Sequence, residues 1–375
     1  MRILHLITHF DLGGAERVAA NIAVSRSPGM EYHVVEMLRG RSDYTGRFLG
    51  ELKAAGVHCH RSLIPDVSWH FLVERIAALL LPLRFAYIML RWRPDVIHSH
   101  TETPDLCLYV FARLFPWLLR RTRIVRTVHN TRLWTGLPRT ALRVERFFQE
   151  HNANVAISDS VRDAYAARFG SRPPIIHNGV GEVAQQPYPG LRPGCINVLF
   201  AGRLEPQKGV SVMCEVLKAL GDDRRYHFVI AGDGSLRHLV EQTLEHGGDG
   251  GRPLANAVLV APIFSLASYL SSFDFLFMPS EFEGLSMLSM EASMNRLPVI
   301  ANRAPGLSDT LPPDWPLMVD GNSVEEFAGM FRDALPAADR KKLADRAYEF
   351  AVSHFSIHHM QEEYERVYAG KTQEV

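Results

Sequence analysis

The stretch "HLITHFDLGGAERV", residues 5–18, and the stretch "VLFAGRLEPQKGV", residues 198–210, open two halves of the chain in the same way. Each passes from a short apolar run into a glycine-bearing loop and then into a helical pattern. Such a run suits a strand buried on both faces, and a helix after it suits a parallel sheet. Outward from the first stretch, "RILHLI", "YHVVEML", "DVIHSH", "RIVRTVH" and "NVAIS" read as strands. Helical patterns lie between them, including residues 15–23, where Val18, Ala19 and Ile22 share a face. Outward from the second, "INVLFAG", "HFVIAGDG", "NAVLVA", "DFLFMP" and "LPVIAN" repeat the alternation. The stretch "QQPYPGLRPG", residues 185–194, is dense in Pro and Gly and reads as an interdomain linker. The expected fold class is therefore α/β, with two Rossmann-like domains facing across a cleft. The expected domains are residues 1–185 and 195–354, with a helix within about 355–375 packing back onto the first.

Composition excludes more than it selects. Lys+Arg and Asp+Glu balance at 41 each, but residues 1–190 carry 24 basic against 16 acidic side chains. That half suits phosphates or an anionic membrane surface, or simply carries more solvated charge. No basic cluster is interleaved with stacking aromatics, so nucleic acid is not an expected partner. Cys59, Cys107, Cys195 and Cys214 are scattered without a C-x-x-C, which argues against structural zinc and for a reducing compartment. The start "MRILHLITHF" reads as a buried strand and not a signal peptide. The most membrane-like stretch, residues 71–90, is broken by Glu74, Arg75, Pro82 and Arg84, so a spanning helix is not expected. With residues 108–123 it makes a second, lipid-facing reading available.

The loop "AGRLEPQKGV" leaves a strand end and enters a helix, where backbone N–H groups and the positive helix end point at a ligand. Arg203 and Lys208 add two cations, which suits a diphosphate, while a solvated turn is the plain alternative. Gly13 and Gly14 allow close backbone approach and positive φ. Neither that loop nor "GDGSLR" at Gly232 completes G-x-G-x-x-G, so a nicotinamide dinucleotide is not expected. "HSH" at residues 98–100 and "TVHN" with His129 fall at strand ends, where open α/β sheets bind ligands. There is no Asp-x-Asp, so no metal and no cofactor are expected.

The stretch "PSEFEGLSMLSMEASMNRLPVI", residues 279–300, brings Glu281, Glu283 and Glu291 into an otherwise apolar segment. A helix is expected from near Leu285, with the N–H groups of Gly284, Leu285 and Ser286 facing an anion. Glu291, eight residues beyond Glu283, would then lie roughly 80° round the helix. Ligand hydroxyls at two ends of an elongated molecule would satisfy both carboxylates.

In order and over essentially the whole chain, "GGAE", "HSH", "TVHN", "SDS", "HNGVG", "GRLEPQKG", "AGDG" and "PSEFEGLSMLSMEA" resemble the retaining GT-B glycosyltransferases of family 4, also called group 1. The resemblance implies that Arg203 and Lys208 hold the donor diphosphate in place of a metal, beside Gly202 and Gly232. It implies that Glu291 accepts the ribose hydroxyls. Glu283 with Gly284, Leu285 and Ser286 would hold the sugar and β-phosphate, His129 would touch the donor sugar, and Gly13 and Gly14 would approach the phosphates. Gly181 stands where the family often has Asp, and "APGLSD", residues 304–309, replaces its "GGxPE" loop, with Asp309 for Glu.

The implied activity is retaining transfer of a hexose or N-acetylhexosamine from a nucleotide sugar, UDP-linked by preference and GDP-mannose second. The acceptor would be a glycan or a lipid-linked molecule in cell-surface polysaccharide synthesis. The expected location is cytoplasmic, with a peripheral place at the membrane face as an option. A sugar-nucleotide 2-epimerase and a non-catalytic nucleotide-sugar-binding subunit are the competing readings.

Overall fold

The structure is a computed structural model that describes every residue apart from 12, 26, 65–81, 135–137 and 372–375. The chain divides into two compact units. Unit 1 is Met1–Gly179 with Ile357–Val375, and unit 2 is Val180–Ser356.

Unit 1 is built on six strands: β1 (Arg2–Ile7), β2 (Glu31–Glu36), β3 (His58–His60), β4 (Val96–His100), β5 (Arg123–Val128) and β6 (Asn154–Ala156). Their order is β3-β2-β1-β4-β5-β6, all parallel. Its helices include α1 (Gly14–Val24), α2 (Asp43–Ala54), α3 (Glu102–Leu114), α4 (Pro138–Glu150) and α5 (Asp159–Phe169). Ser42 and Ser158 cap α2 and α5 by accepting from Tyr44 N–H and Val161 N–H, and Gly170 ends α5 at φ +71°. These are the polar starts and glycine stop that free helix ends require.

Unit 2 repeats the plan with β7 (Ile196–Ala201), β8 (Tyr226–Ala231), β9 (Ala257–Val260), β10 (Phe275–Met278), β11 (Val299–Asn302) and β12 (Met318–Val319). The order is β12-β11-β10-β7-β8-β9, again parallel. Its helices are α6 (Val210–Leu220), α7 (Arg237–His246), α8 (Met287–Met294), α9 (Val324–Gly329) and α10 (Arg340–Phe355). Every residue of β8 and of β10 is buried, as expected for strands covered by helices on both faces. In both units the order reverses beside the first strand, between β1 and β4 and between β7 and β10. That reversal opens a crevice at the strands' carboxyl ends.

The last helix, α11 (Ile357–Tyr368), belongs to unit 1, where it buries Met360, Tyr364 and Tyr368. The Pro- and Gly-rich segment 185–194 is not the connection between the units. It lies inside unit 2, where Gln185 Nε2 donates to the Ala267 carbonyl and Tyr188 and Leu191 pack against the core. Pro and Gly there shape turns, and two apolar side chains anchor them.

Most of the apolar stretch 71–90 lies outside the described residues. Within its described end, Leu83, Tyr87 and Leu90 are exposed at helical spacing, and Trp117 is exposed further on. Among the described residues, no helix is long and apolar enough to cross a membrane.

Candidate active site

In unit 2 the loops after β7 and β10 meet at the crevice. Residues 206–208 form one turn of 3-10 helix, which Gly209 ends at φ +69° before α6 begins. A Cβ on Gly209 would lie 1.8 Å from the Pro279 carbonyl oxygen, so only glycine lets the two backbones come this close. Glu281 N–H donates to the Gln207 carbonyl at 2.9 Å, and Gln207 Nε2 returns a bond to the Phe282 carbonyl at 3.0 Å. Lys208 Nζ then donates to Glu283 Oε1 at 2.6 Å.

Glu283 is 7% exposed, and this ammonium is its compensating charge. The third loop, after β11, closes over the same segment. Glu283 N–H donates to the Pro305 carbonyl at 2.8 Å and Ser286 N–H to the Gly306 carbonyl at 2.9 Å. Gly306 has φ +71°, and a Cβ there would meet the Glu283 carbonyl at 2.2 Å.

The fourth side of the corner is the loop after β8. A Cβ on Gly232 would fall 2.0 Å from the Gly202 carbonyl oxygen, and Gly202 itself has φ +145°. Glu205 accepts from Ser235 N–H and Ser235 Oγ, which ties this loop to the one after β7 and holds the Glu205 carboxyl below the usual range. Arg203 is exposed, with no carboxylate at ion-pair distance among the described residues. Two cations, one exposed and one held, therefore stand on the one loop at the carboxyl end of β7. That arrangement suits a polyanion.

In unit 1 imidazoles stand within β1 and β4 and directly after β5. His5 and His98 are register partners, and His100 is the last residue of β4. His129 follows β5 and bonds His100 Nδ1 through Nε2 at 3.0 Å, while His100 Nε2 meets His5 Nδ1 at 2.9 Å. Burial drives His5 and His129 down to about 3 and holds His98 and His100 well below 6.5, so all four are neutral.

The donor atoms of His5, His98 and His100 are close enough to share a metal ion. Both His98 nitrogens are occupied, however, by the hydroxyls of Tyr368 and Thr127, each at 2.7 Å, so the trio forms hydrogen bonds and not a converging ligand set. A second group, Glu31, His33 and His58, lies at the β2–β3 edge, away from these strand ends.

Known proteins match both halves. Residues 12–182 fit the description "Glycosyltransferase Family 4", and residues 195–335 fit "Glycosyl transferases group 1". The chain belongs to the group 1, family 4 glycosyltransferases.

A glycogen synthase of Mycobacterium tuberculosis (strain CDC 1551 / Oshkosh) is 28% identical over 279 residues. That match takes in 68% of this chain and 62% of the synthase's own length. The crystal structure of Anabaena Alr3699/HepE in complex with UDP superposes with a TM-score of 0.76 at 18% identity, covering 99% of this chain and 100% of that one. The same Anabaena protein in complex with UDP-glucose gives 0.74 at 16% identity, covering 99% and 100%. At these identities the likeness establishes the GT-B fold.

Within this family member, Arg203, Lys208, Gly202, Gly232, Glu283, Gly284, Leu285 and Ser286 all lie on the loops of one corner of unit 2. Glu291 sits half-buried on α8, and Gly13, Gly14 and His129 lie in unit 1. Three local expectations change. Helix α8 starts at Met287, with Ser286 as its cap, so Glu283 is in the loop and the 80° helical angle to Glu291 does not apply. The Ser286 N–H is taken by the Gly306 carbonyl and is not available to an anion. Glu283 has the Lys208 ammonium as its balancing charge, whereas Glu281 is simply exposed.

Gly13 has φ −164°, extended backbone open to any residue. What glycine provides there is room, because a Cβ would lie 2.0 Å from Glu16 Oε2 of a buried carboxylate. Sequence reasoning passed over Gly209, Gly306 and Gln207. Gly209 stands inside the quoted "PQKG" and could have been read as a left-handed turn ending before a helix.

Proposed function

We propose that this chain is a retaining glycosyltransferase that moves a hexose or N-acetylhexosamine from a nucleotide sugar, working without a metal ion. The observation that carries the proposal is the Lys208–Glu283 pair at the crevice of unit 2, beside the exposed Arg203. Lys208 has three N–H donors, of which Glu283 takes one, leaving two for phosphate oxygens. Arg203 adds a planar fork for bidentate contact with phosphate.

In this reading the bond from the sugar's anomeric carbon to the diphosphate breaks as both cations stabilise the charge that develops on it. The acceptor hydroxyl oxygen bonds to that carbon on the same face, and its proton goes to the departing phosphate oxygen. Glu291 is assigned to the ribose hydroxyls and His129 to a sugar hydroxyl. A UDP-sugar is the favoured donor, supported by the UDP and UDP-glucose bound to the Anabaena protein.

The acceptor is a glycan or a lipid-linked sugar of cell-surface polysaccharide synthesis. Exposed Leu83, Tyr87, Leu90 and Trp117 among arginines support a peripheral membrane contact. Calorimetry of UDP-, GDP- and ADP-sugars in EDTA, on wild type and Arg203→Ala, tests the donor site. One donor bound in EDTA by wild type and lost in the variant is expected. Binding of none, or binding only with added metal, overturns the proposal.

A further inference from the structure

A hydrogen-bond chain runs through the interior of unit 1 from α11 to His129, and its direction can be worked out by following protons. It begins at Tyr364, whose ring is fully buried and whose hydroxyl bonds Thr127 Oγ1 at 2.7 Å. Among the described residues that is the only bond this hydroxyl makes, so its proton must go to Thr127. A phenol buried with its O–H unused would lose a full hydrogen bond.

Thr127 Oγ1 has one proton and one other partner, His98 Nε2, to which it therefore donates. His98 is buried, and among the described residues no carboxylate meets it. A neutral ring that accepts at Nε2 carries its proton on Nδ1. That proton goes to Tyr368 Oη at 2.7 Å, and Tyr368 passes its own proton to His5 Nε2 across the longest link, 3.5 Å. His5 then donates from Nδ1 to His100 Nε2, and His100 donates from Nδ1 to His129 Nε2.

We infer that this chain locks His129 as the neutral Nδ1–H tautomer, so that its free nitrogen offers a hydrogen-bond donor and no basic lone pair, with Thr127 and Tyr364 as the positioning residues. The assignment rests only on unit 1. Its meaning for transfer rests on the functional reading above, in which His129 meets a sugar hydroxyl. A donor fixed in that orientation binds a hydroxyl oxygen and cannot remove the acceptor's proton. The chain would therefore leave deprotonation of the acceptor to the departing phosphate.

The test is NMR of the full-length protein with nitrogen-labelled histidine near neutral pH, His129 being assigned by its loss in His129→Gln. Long-range proton–nitrogen spectra report which ring nitrogen bears the proton, with no substrate present. Wild type should show Nδ1–H. Thr127→Val keeps the shape and removes the hydroxyl, and should bring in the Nε2–H form, while Thr127→Ser should restore the wild-type pattern. Tyr364→Phe removes only the terminal hydroxyl and should act as Thr127→Val does, including where the valine variant does not fold.

An Nε2–H or doubly protonated His129 in wild type overturns the inference. So does an unchanged spectrum in folded Thr127→Val and Tyr364→Phe. In turnover, kcat should fall about tenfold in Thr127→Val with the donor KM unchanged, and recover in Thr127→Ser, the scale of one lost neutral hydrogen bond. A protein that shows the locked tautomer but transfers no sugar overturns the functional reading and leaves this inference standing.

Discussion

Lys208 Nζ stands 2.6 Å from Glu283 Oε1, joining the loops that follow two adjacent strands of unit 2. Neither group needs the other for solubility, since an exposed lysine and an exposed glutamate would each be hydrated. What the pair achieves is a cation held in place beside a carboxylate that is only 9% exposed at its side chain. A held cation stabilises charge in a transition state without reorganising when the charge appears.

Lys208→Ala should therefore lower kcat/KM by on the order of 3 kcal/mol, the scale of removing one aimed donor. It should also lower the melting temperature, because Glu283 keeps its burial and loses its partner. Combining Lys208→Met with Glu283→Gln should recover melting but not activity. Steady-state kinetics and melts on the three proteins check this, and wild-type kcat/KM in Lys208→Ala would count against the diphosphate assignment.

Gly209 and Gly250 share a φ of +69° but differ in surroundings. A Cβ at Gly209 would meet the Pro279 carbonyl at 1.8 Å, whereas at Gly250 nothing lies within 4 Å. Alanine at either site takes the left-handed cost of about 1–2 kcal/mol. Only Gly209→Ala should add the displacement of a loop, and with it a weaker grip on nucleotide sugar. Denaturant midpoints for the two variants should separate clearly, and equal shifts would show that the loops are not packed this closely.

The fold was legible because the strands are apolar runs whose ends are marked by glycine, histidine or proline. Two strands carried no such signal. β3 is "HCH", polar in two of three residues, and β12 is two residues long. Each is defined by pairing with a neighbour and not by its own composition.

The corner residues were legible one at a time. That Lys208 answers Glu283 was not, because 75 positions separate them and each taken alone suits a ligand. The alternation in "HSH" does place His98 and His100 on one face of a strand. His5 joins them only through strand register, and Tyr364 reaches Thr127 from 237 positions away. Long-range register and the return of a terminal helix are set by packing, and spacing within one segment does not encode them.

Arg126 is 1% exposed and holds two carboxylates, Asp105 through Nε at 2.7 Å and Glu145 through Nη1 at 2.6 Å. Trp134 Nε1 and the Tyr165 hydroxyl also donate to Glu145, so the cluster is closely satisfied. Burial alone would raise Glu145, but the guanidinium and these donors outweigh it and hold the carboxyl below its ordinary value. Arg126→Ala leaves two buried carboxylates unmatched and should cost about 3–5 kcal/mol or more. Adding Asp105→Asn and Glu145→Gln should restore part of that loss. Denaturation curves for the single and triple variants decide it, and an unchanged midpoint in Arg126→Ala would contradict a buried charge cluster.

His5, His98, His100 and His129 all titrate below their ordinary range because burial penalises the charged ring, with the Arg126 charge adding to the effect at His129. The folded protein therefore keeps these rings neutral where the unfolded chain, with histidine near 6.5, protonates them. Their contribution to stability is complete above about pH 6.5 and is lost as pH falls through that value toward the folded pKa values. Each ring charged only in the unfolded state adds a slope of about 1.4 kcal/mol per pH unit. Denaturant midpoints should fall steeply between about pH 7 and about pH 5, and the activity profile over the same span should show no limb from His129 itself. A flat midpoint would mean that the rings already carry protons in the folded state, which the hydrogen-bond chain through Thr127 and Tyr368 has no room for.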